Sequence, residues 1–142
     1  MCIRDSLRPL HKDIAETDAF IFVTPEWGGM VPPMLKNYFL LSNQEIMRHK
    51  PALIVSISAG MGGAYPVNEL RTSSYKNTKI CFIPDHIILR NVESLFTGEN
   101  PSLDEEFDNR LKFSCDLLFA YADALLSVRN KDLEFDKYAY GL

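Results

Sequence analysis

Three short apolar runs, none of which alternates with polar residues, constrain the fold of this chain more than any other feature. Ala19-Phe20-Ile21-Phe22-Val23-Thr24 is ended by Pro25, Ala52-Leu53-Ile54-Val55-Ser56-Ile57-Ser58 by Gly60, and Lys79-Ile80-Cys81-Phe82-Ile83 by Pro84. A strand with one face in water alternates apolar and polar side chains, whereas a run without alternation suits a strand buried on both faces. Parallel strands covered by helices on both sides meet that condition. The expected class is therefore α/β, with three layers.

The stretches between the runs read as helices. Val31, Met34, Leu35, Tyr38, Phe39 and Leu41 recur at helical spacing, with Pro32 and Pro33 tolerated in a first turn. That helix is apolar on most sides, so a partner besides the sheet is expected to cover it. A second helix is expected from about Tyr65 to Tyr75. The last is expected to open with Ser102 as N-cap and Glu105 three residues on, and to bury a stripe of Leu103, Phe107, Leu111, Cys115, Leu118, Ala122 and Leu125. A short helix is expected over Leu7–Glu16, and a tail without clear periodicity over 129–142. The 142 residues have the length of one domain.

The first run reads as an interior strand, yet nothing upstream in this sequence can pair with its other side. An open apolar edge is an aggregation hazard that folded domains avoid. The expectation is a domain whose opening unit is missing, with residues 1–6 foreign to the natural protein.

Charge and composition narrow the function. The net charge is −4 and the basic residues are scattered singly from Arg4 to Lys137, which argues against nucleic-acid binding. The apolar runs fall well short of the ~20 residues that span a bilayer, and Met1–Lys12 is charged without an apolar core. No membrane association and a cytoplasmic location are expected. Cys2, Cys81 and Cys115 lack any CxxC spacing, so neither a disulfide framework nor a zinc site is readable. Cys81 and Cys115 read as buried small hydrophobes.

In open parallel sheets, ligands bind beyond the carboxyl ends of the strands. Two unusual loops fall there. Thr24-Pro25-Glu26-Trp27-Gly28-Gly29-Met30-Val31-Pro32 carries an aromatic followed by two glycines. Ser58-Ala59-Gly60-Met61-Gly62-Gly63-Ala64-Tyr65 has three glycines in four positions, which lets backbone N–H groups approach a ligand. A flat redox ring suits such a setting, because main-chain donors stabilise the negative charge that reduction brings.

At these residues the sequence resembles the NADPH-dependent FMN reductase family. Thr24 to Asn37 is similar to that family's T-P-E-Y-N-x-S-x-P-x-x-L-K-N loop, and Lys50-Pro51 to Gly63 to its K-P-x-x-x-x-S-x-S-x-G-x-x-G-G segment. Asn91-Val92-Glu93-Ser94-Leu95-Phe96 and the closing helix match its usual ending. The resemblance runs from about Ile14 to Leu126. It implies a flavodoxin-like fold with a five-stranded parallel sheet ordered 2-1-3-4-5, of which these strands are the third to fifth. The first βαβ unit and its phosphate-binding loop, roughly 50 residues, would be absent.

The resemblance also implies an FMN-dependent NAD(P)H oxidoreductase that passes hydride from NADPH or NADH to flavin and on to a small-molecule electron acceptor: a quinone, azo compound, flavin or metal ion. It implies a homodimer or homotetramer. Pro25, Glu26, Trp27 and Gly28 would flank the isoalloxazine, as would Ala59, Gly60, Gly62 and Gly63. Trp27 stands where the family usually has Tyr, Gly28 where it has Asn, and Met30 where it has Ser. No catalytic acid or base is needed, because the cofactor carries the chemistry. Two other readings stand beside this one: a non-enzymatic flavodoxin-like electron carrier, and an inactive fragment that holds FMN feebly or not at all.

Plainer roles are open to the same residues. Glu26 suits the N-terminus of the following helix as well as a ligand. Lys36 and Asn37 suit helix packing. Asp85 and His86 follow the third strand, where His86 reads as a loop or interface histidine, and His11 and His49 read as solvated.

Overall fold

The computed structural model describes residues 9, 11–42 and 44–138. Residues 1–6 lie outside this range, as does part of the expected Leu7–Glu16 helix, of which residues 11–15 are helical. Three strands, β1 (Phe20–Pro25), β2 (Pro51–Ile57) and β3 (Cys81–Leu89), form one parallel sheet in the order β1-β2-β3. The helices are α1 (Pro33–Leu41), α2 (Gln44–Met47), α3 (Ala64–Ser73), α4 (Tyr75–Thr78) and α5 (Pro101–Arg129), with 3-10 turns at Val92–Ser94 and Phe135–Tyr138.

Each sheet face carries its own core. On one side Phe22, Phe39, Met47, Ile54 and Leu70 pack together, with the Phe22 and Phe39 rings 4.9 Å apart. On the other, Leu53, Val55, Ile83 and Ile87 pack against Leu118 of α5. Central β2 is buried along its length, as its unbroken apolar run requires. β1 is not. Phe22 and Thr24 are buried, but Ile21 and Val23 are 46% and 58% exposed. Ile21 and Val23 stand beside Leu53 and Val55 in the register, on the face that α5 covers chiefly over β2 and β3.

The third strand departs from expectation. It runs through Pro84 to Leu89, so Asp85 and His86 lie inside it rather than in a loop. The register steps from Ala52–Phe82 to Ile54–His86, so Ile83, Pro84 and Asp85 together oppose Leu53. A proline with no N–H to give is tolerated in such a bulge. Arg71 Nη2 donates to the carbonyls of Ile83, Pro84 and Asp85 at 2.7, 2.9 and 3.1 Å, satisfying the acceptors that the bulge turns away from the ladder. The Asp85 carboxylate accepts from Arg110 Nη2 and Nη1 at 2.5 and 2.9 Å and from Ser114 Oγ at 2.7 Å. Arg110's hydrogen bonds, and secondarily Ser114's, hold the Asp85 carboxyl down at about 2.

The start of α5 also differs. Asn100, not Ser102, is the N-cap, its side chain accepting from Leu103 N at 3.3 Å. Pro101 follows as the first helical residue, where its fixed φ is pre-set and its missing N–H costs nothing, and this moves the helix start two residues earlier. Along the expected stripe, Leu118 and Ala122 are buried together with Ser114, while Leu111 is 39% exposed.

Neither histidine expected in solvent is simply solvated. The His49 ring packs 5.4 Å from that of Phe135, and burial, with Arg48 and Lys79 nearby, pushes its pKa down. His11 Nε2 is buried without a hydrogen-bond partner among the described residues. Cys81 and Cys115 are half-buried rather than fully buried, and burial pushes the Cys81 thiol up. Among the described residues no helix is long and apolar enough to cross a membrane, and no group of His, Cys, Asp and Glu is placed to hold a metal ion.

Candidate functional site

Both glycine loops emerge at the carboxyl ends of neighbouring strands, β1 and β2. Glu26 N donates to Ile57 O at 2.9 Å, tying the start of the first loop to the end of β2. Trp27 and Met30 then exchange two backbone hydrogen bonds, each 3.0 Å, across a two-residue turn. Gly28 and Gly29 at its tip have φ +55° and +76°. Positive φ at both central residues is the mark of a type I′ turn, whose preferred residues are Gly and Asn. Gly28 and Gly29 both meet that backbone demand. The turn leaves Trp27 and Met30 60% and 55% exposed.

The second loop is held from β3. Ser58 N donates to Leu89 O at 2.8 Å, Asn91 N to Gly60 O at 2.9 Å, and Val92 N to Ser58 O at 3.1 Å. Its glycines answer different demands. Gly63 has φ +97°, and a Cβ there would overlap Ile88 Cγ2. A Cβ on Gly62 would lie 2.7 Å from Glu26 Oε1. Gly60 is under neither constraint: its backbone is not left-handed, and a Cβ there would meet nothing within 4 Å. Nothing among the described residues requires glycine at that point.

The loops lie side by side. Glu26 Oε2 accepts from Gly63 N at 2.6 Å, so the carboxylate sits at the N-terminus of α3, where negative charge is favoured. Glu26 therefore complements a helix, but α3 beyond the second loop rather than the next helix in sequence. A Cβ on Gly29 would lie 3.8 Å from the Tyr65 ring, and that ring is 65% exposed. Met61, 72% exposed, accepts from Asn91 Nδ2 at 3.3 Å on its sulfur.

Together Trp27, Met30, Met61 and Tyr65 make an open apolar shelf around backbone N–H groups. Those of Gly28, Gly29, Ala59, Gly60, Met61 and Gly62 find no acceptor among the described residues. Exposed aromatic and thioether side chains beside backbone donors without an acceptor among the described residues, with free space above Gly60, suit a flat ring that bears acceptor atoms along one edge.

All eight residues singled out in the sequence fall in this region. Pro25, Trp27, Gly28, Ala59 and Gly60 are exposed, Glu26 and Gly62 are half-buried, and Gly63 is buried. Gly63 serves the turn and the Glu26 hydrogen bond rather than the surface. Sequence reasoning missed Met61, Tyr65, Arg90 and Asn91. Arg90 Nε donates to Gly62 O at 2.9 Å. Arg90 and Asn91 are placed by the six residues that β3 adds beyond Ile83, which could be foreseen only if Pro84 was read as a bulge.

Behind the shelf, Glu69 of α3 accepts from Val31 N at 2.7 Å and pairs with Lys36, whose hydrogen bond is the main cause of its lowered pKa. Lys36 thus fastens α1 to α3, as a packing role requires. The more enclosed spaces lie elsewhere. A cleft of about 300 Å³ runs between α1 and α3, beside Phe39, Leu40 and Leu70. Another of about 610 Å³ lies at the amino ends of β2 and β3, between Arg48, His49, Lys79 and Phe135.

The sequence matches the family model described as NADPH-dependent FMN reductase over residues 2–93. No curated protein matches it by sequence. Among solved structures it is similar to the flavoenzyme NAD(P)H:(acceptor) oxidoreductase FerB from Paracoccus denitrificans, with TM-score 0.63 and 22% identity over 87% of this chain and 69% of that one. It is also similar to an oxidoreductase from Corynebacterium diphtheriae, with TM-score 0.59 and 15% identity over 89% of this chain and 64% of that one. The flavodiiron core from Synechocystis aligns with TM-score 0.55 and 17% identity over 85% of this chain and 26% of that one. At these identities the likeness is one of fold, and the chain spans about two thirds of the length of the first two.

Proposed function

This chain belongs to the NADPH-dependent FMN reductase family, and on that premise we propose that it works as a flavin-dependent NAD(P)H oxidoreductase with FMN on the shelf formed by its two glycine loops. The observation that carries this reading is the juxtaposition of those loops by the Glu26–Gly63 hydrogen bond, with open space over Gly60. Trp27 and Met30 on one side, and Met61 and Tyr65 on the other, would bound the isoalloxazine. The N–H groups from Ala59 to Gly62 would face its polar edge. Flavin held there would supply the redox chemistry, hydride transfer between a nicotinamide and an acceptor.

The chain's own part is to bind, orient and shield. The donors are fixed before a ligand arrives, so aligning them costs little when charge develops. No side chain is assigned an acid–base role. Trp27, 60% exposed, offers a broad apolar surface for aromatic acceptors such as quinones and azo compounds, with free flavins and metal ions as the other acceptor classes. NADPH or NADH serves as donor. Met34 and Leu40 of α1 are 81% and 80% exposed, which supports a second copy covering this face in a homodimer or homotetramer. The protein is assigned to the cytoplasm, with no membrane or nucleic-acid partner.

A non-enzymatic electron carrier with the same shelf is separated by one experiment. The protein saturated with FMN is mixed anaerobically with NADPH or NADH in a stopped-flow instrument. Bleaching of the flavin absorption band is the expected result. Flavin that is bleached by dithionite but by neither nicotinamide would assign the protein as a carrier.

A further inference from the structure

One peptide group in the second loop is held at both ends by charged side chains from two other loops. The Gly62–Gly63 peptide gives its N–H to Glu26 Oε2 at 2.6 Å and takes a hydrogen bond on its oxygen from Arg90 Nε at 2.9 Å. Glu26 follows β1 and Arg90 follows β3, while the peptide itself follows β2. Hydrogen bonds to ionised groups are roughly twice as strong as neutral ones. Glycine also has the widest choice of backbone conformation, so two consecutive glycines without such a hold would sample several peptide orientations.

We propose that Glu26 and Arg90 act as a pair of positioning residues that lock the Gly62–Gly63 peptide in a single orientation. The lock sets the direction in which the neighbouring N–H groups of Gly60, Met61 and Gly62 point onto the shelf. The role in ligand binding rests on the flavin reading above; the lock itself does not.

Three features favour a lock over ordinary loop packing. The carboxylate is seated tightly, since a Cβ on Gly62 would lie 2.7 Å from its other oxygen, Oε1. Gly63 holds φ +97° with Ile88 beneath it, so the peptide is trapped from below as well as from both ends. Arg90 is exposed and contributes little burial, so its hydrogen bond to Gly62 O is its main contribution among the described residues. The two charges act on one group from opposite sides. Removing either should therefore release the same motion, and removing both should add little more.

The test compares wild type with E26Q, E26A, R90K, R90M and the double variant E26A/R90M. The first readout needs no cofactor: hydrogen exchange and chemical shift of the Gly63 amide in the NMR spectrum of the chain alone. Faster exchange of that amide by about tenfold or more in E26A and in R90M is expected, corresponding to about 1.4 kcal/mol. E26Q, which keeps an acceptor oxygen, and R90K, which keeps a charge, should restore part of the protection. The double variant should exchange about as fast as the worse single variant.

The second readout is FMN affinity by flavin fluorescence. E26A and R90M should lose it in parallel with Gly63 protection, while the thermal midpoint of R90M stays near wild type. Unchanged Gly63 exchange in R90M, or fully additive effects in the double variant, would overturn the lock. A lock confirmed by exchange in a protein whose FMN titration shows no binding would overturn the flavin reading and leave the lock standing as structure alone.

Discussion

Arg110 grips Asp85 with two parallel hydrogen bonds, 2.5 Å from Nη2 to Oδ1 and 2.9 Å from Nη1 to Oδ2. Arg110 belongs to α5 and Asp85 to the bulge of β3, so the pair joins the long closing helix to the strand that leads into the Arg90–Asn91 loop. Ser114, one helical turn further along α5, donates to the same carboxylate at 2.7 Å.

That pair makes a definite acid response. The Asp85 carboxyl titrates at about 2 in the folded protein against a model-compound value of 3.8. A carboxylate whose folded pKa is depressed contributes stability that is complete above the unfolded value and is lost as pH falls through the folded one. The contribution therefore fades between about 3.8 and about 2. With Arg110 partly exposed, the pair is worth about 1–2 kcal/mol at neutral pH. Urea unfolding of D85N should show a loss of that size at neutral pH and a flatter acid limb; equal stability of D85N and wild type at neutral pH would contradict it.

The glycines of the second loop separate structure from ligand. Gly63→Ala combines a left-handed φ with a clash against Ile88, and about 2–4 kcal/mol of destabilisation is expected. Gly60→Ala meets open space without a left-handed φ, so its stability should stay within about 0.5 kcal/mol of wild type, while FMN binding weakens because the new methyl group projects into the ring's place. Thermal unfolding and flavin titration of both variants check the contrast. Unaltered flavin affinity in a well-folded Gly60→Ala protein would remove Gly60 from the site.

Lys50 illustrates a motif residue with a structural task. Its ammonium group donates to the carbonyls of Ala15 and Ile14 at 2.7 and 3.2 Å, and the residue is only 7% exposed. It ties the end of the helical segment 11–15 to the start of β2. Lys50→Met keeps most of the stem but takes the ammonium from the Ala15 carbonyl, while that of Ile14 keeps its hydrogen bonds from Thr17 N and Oγ1 at 3.1 and 2.8 Å, and a loss of about 1–3 kcal/mol is expected. Flavin affinity, measured where the variant remains folded, should not change, because Lys50 lies at the amino end of β2, away from the shelf.

How much of this was legible in the sequence depends on how local each cause is. β2 was plain because every residue from Pro51 to Ser56 is buried, and an unbroken apolar run reports just that. The two loops were visible as glycine clusters after apolar runs. Their mutual hold was not, because the Glu26–Gly63 hydrogen bond joins residues 37 apart and leaves no local signature. β3 was cut short because Pro84 ordinarily ends a strand; the bulge survives through Arg71 and Arg110, which come from two separate helices. Arg90 and Asn91 were lost with it. Ser102 and Glu105 mimic a capping box two residues inside the true start, while Asn100 followed by Pro101 is the stronger start.

The sequence contains one tryptophan, and it is Trp27, which makes a direct test of the central claim available. The intrinsic fluorescence of the chain is followed while FMN is added up to millimolar concentration, and the same titration is recorded by amide NMR. The account predicts saturable quenching of Trp27, with shifts of the Ala59–Gly63 amides that saturate at the same FMN concentration. Trp27 emission that does not respond to FMN, with amide shifts absent or confined to the Arg48–His49–Phe135 cleft at the other end of the sheet, would contradict it.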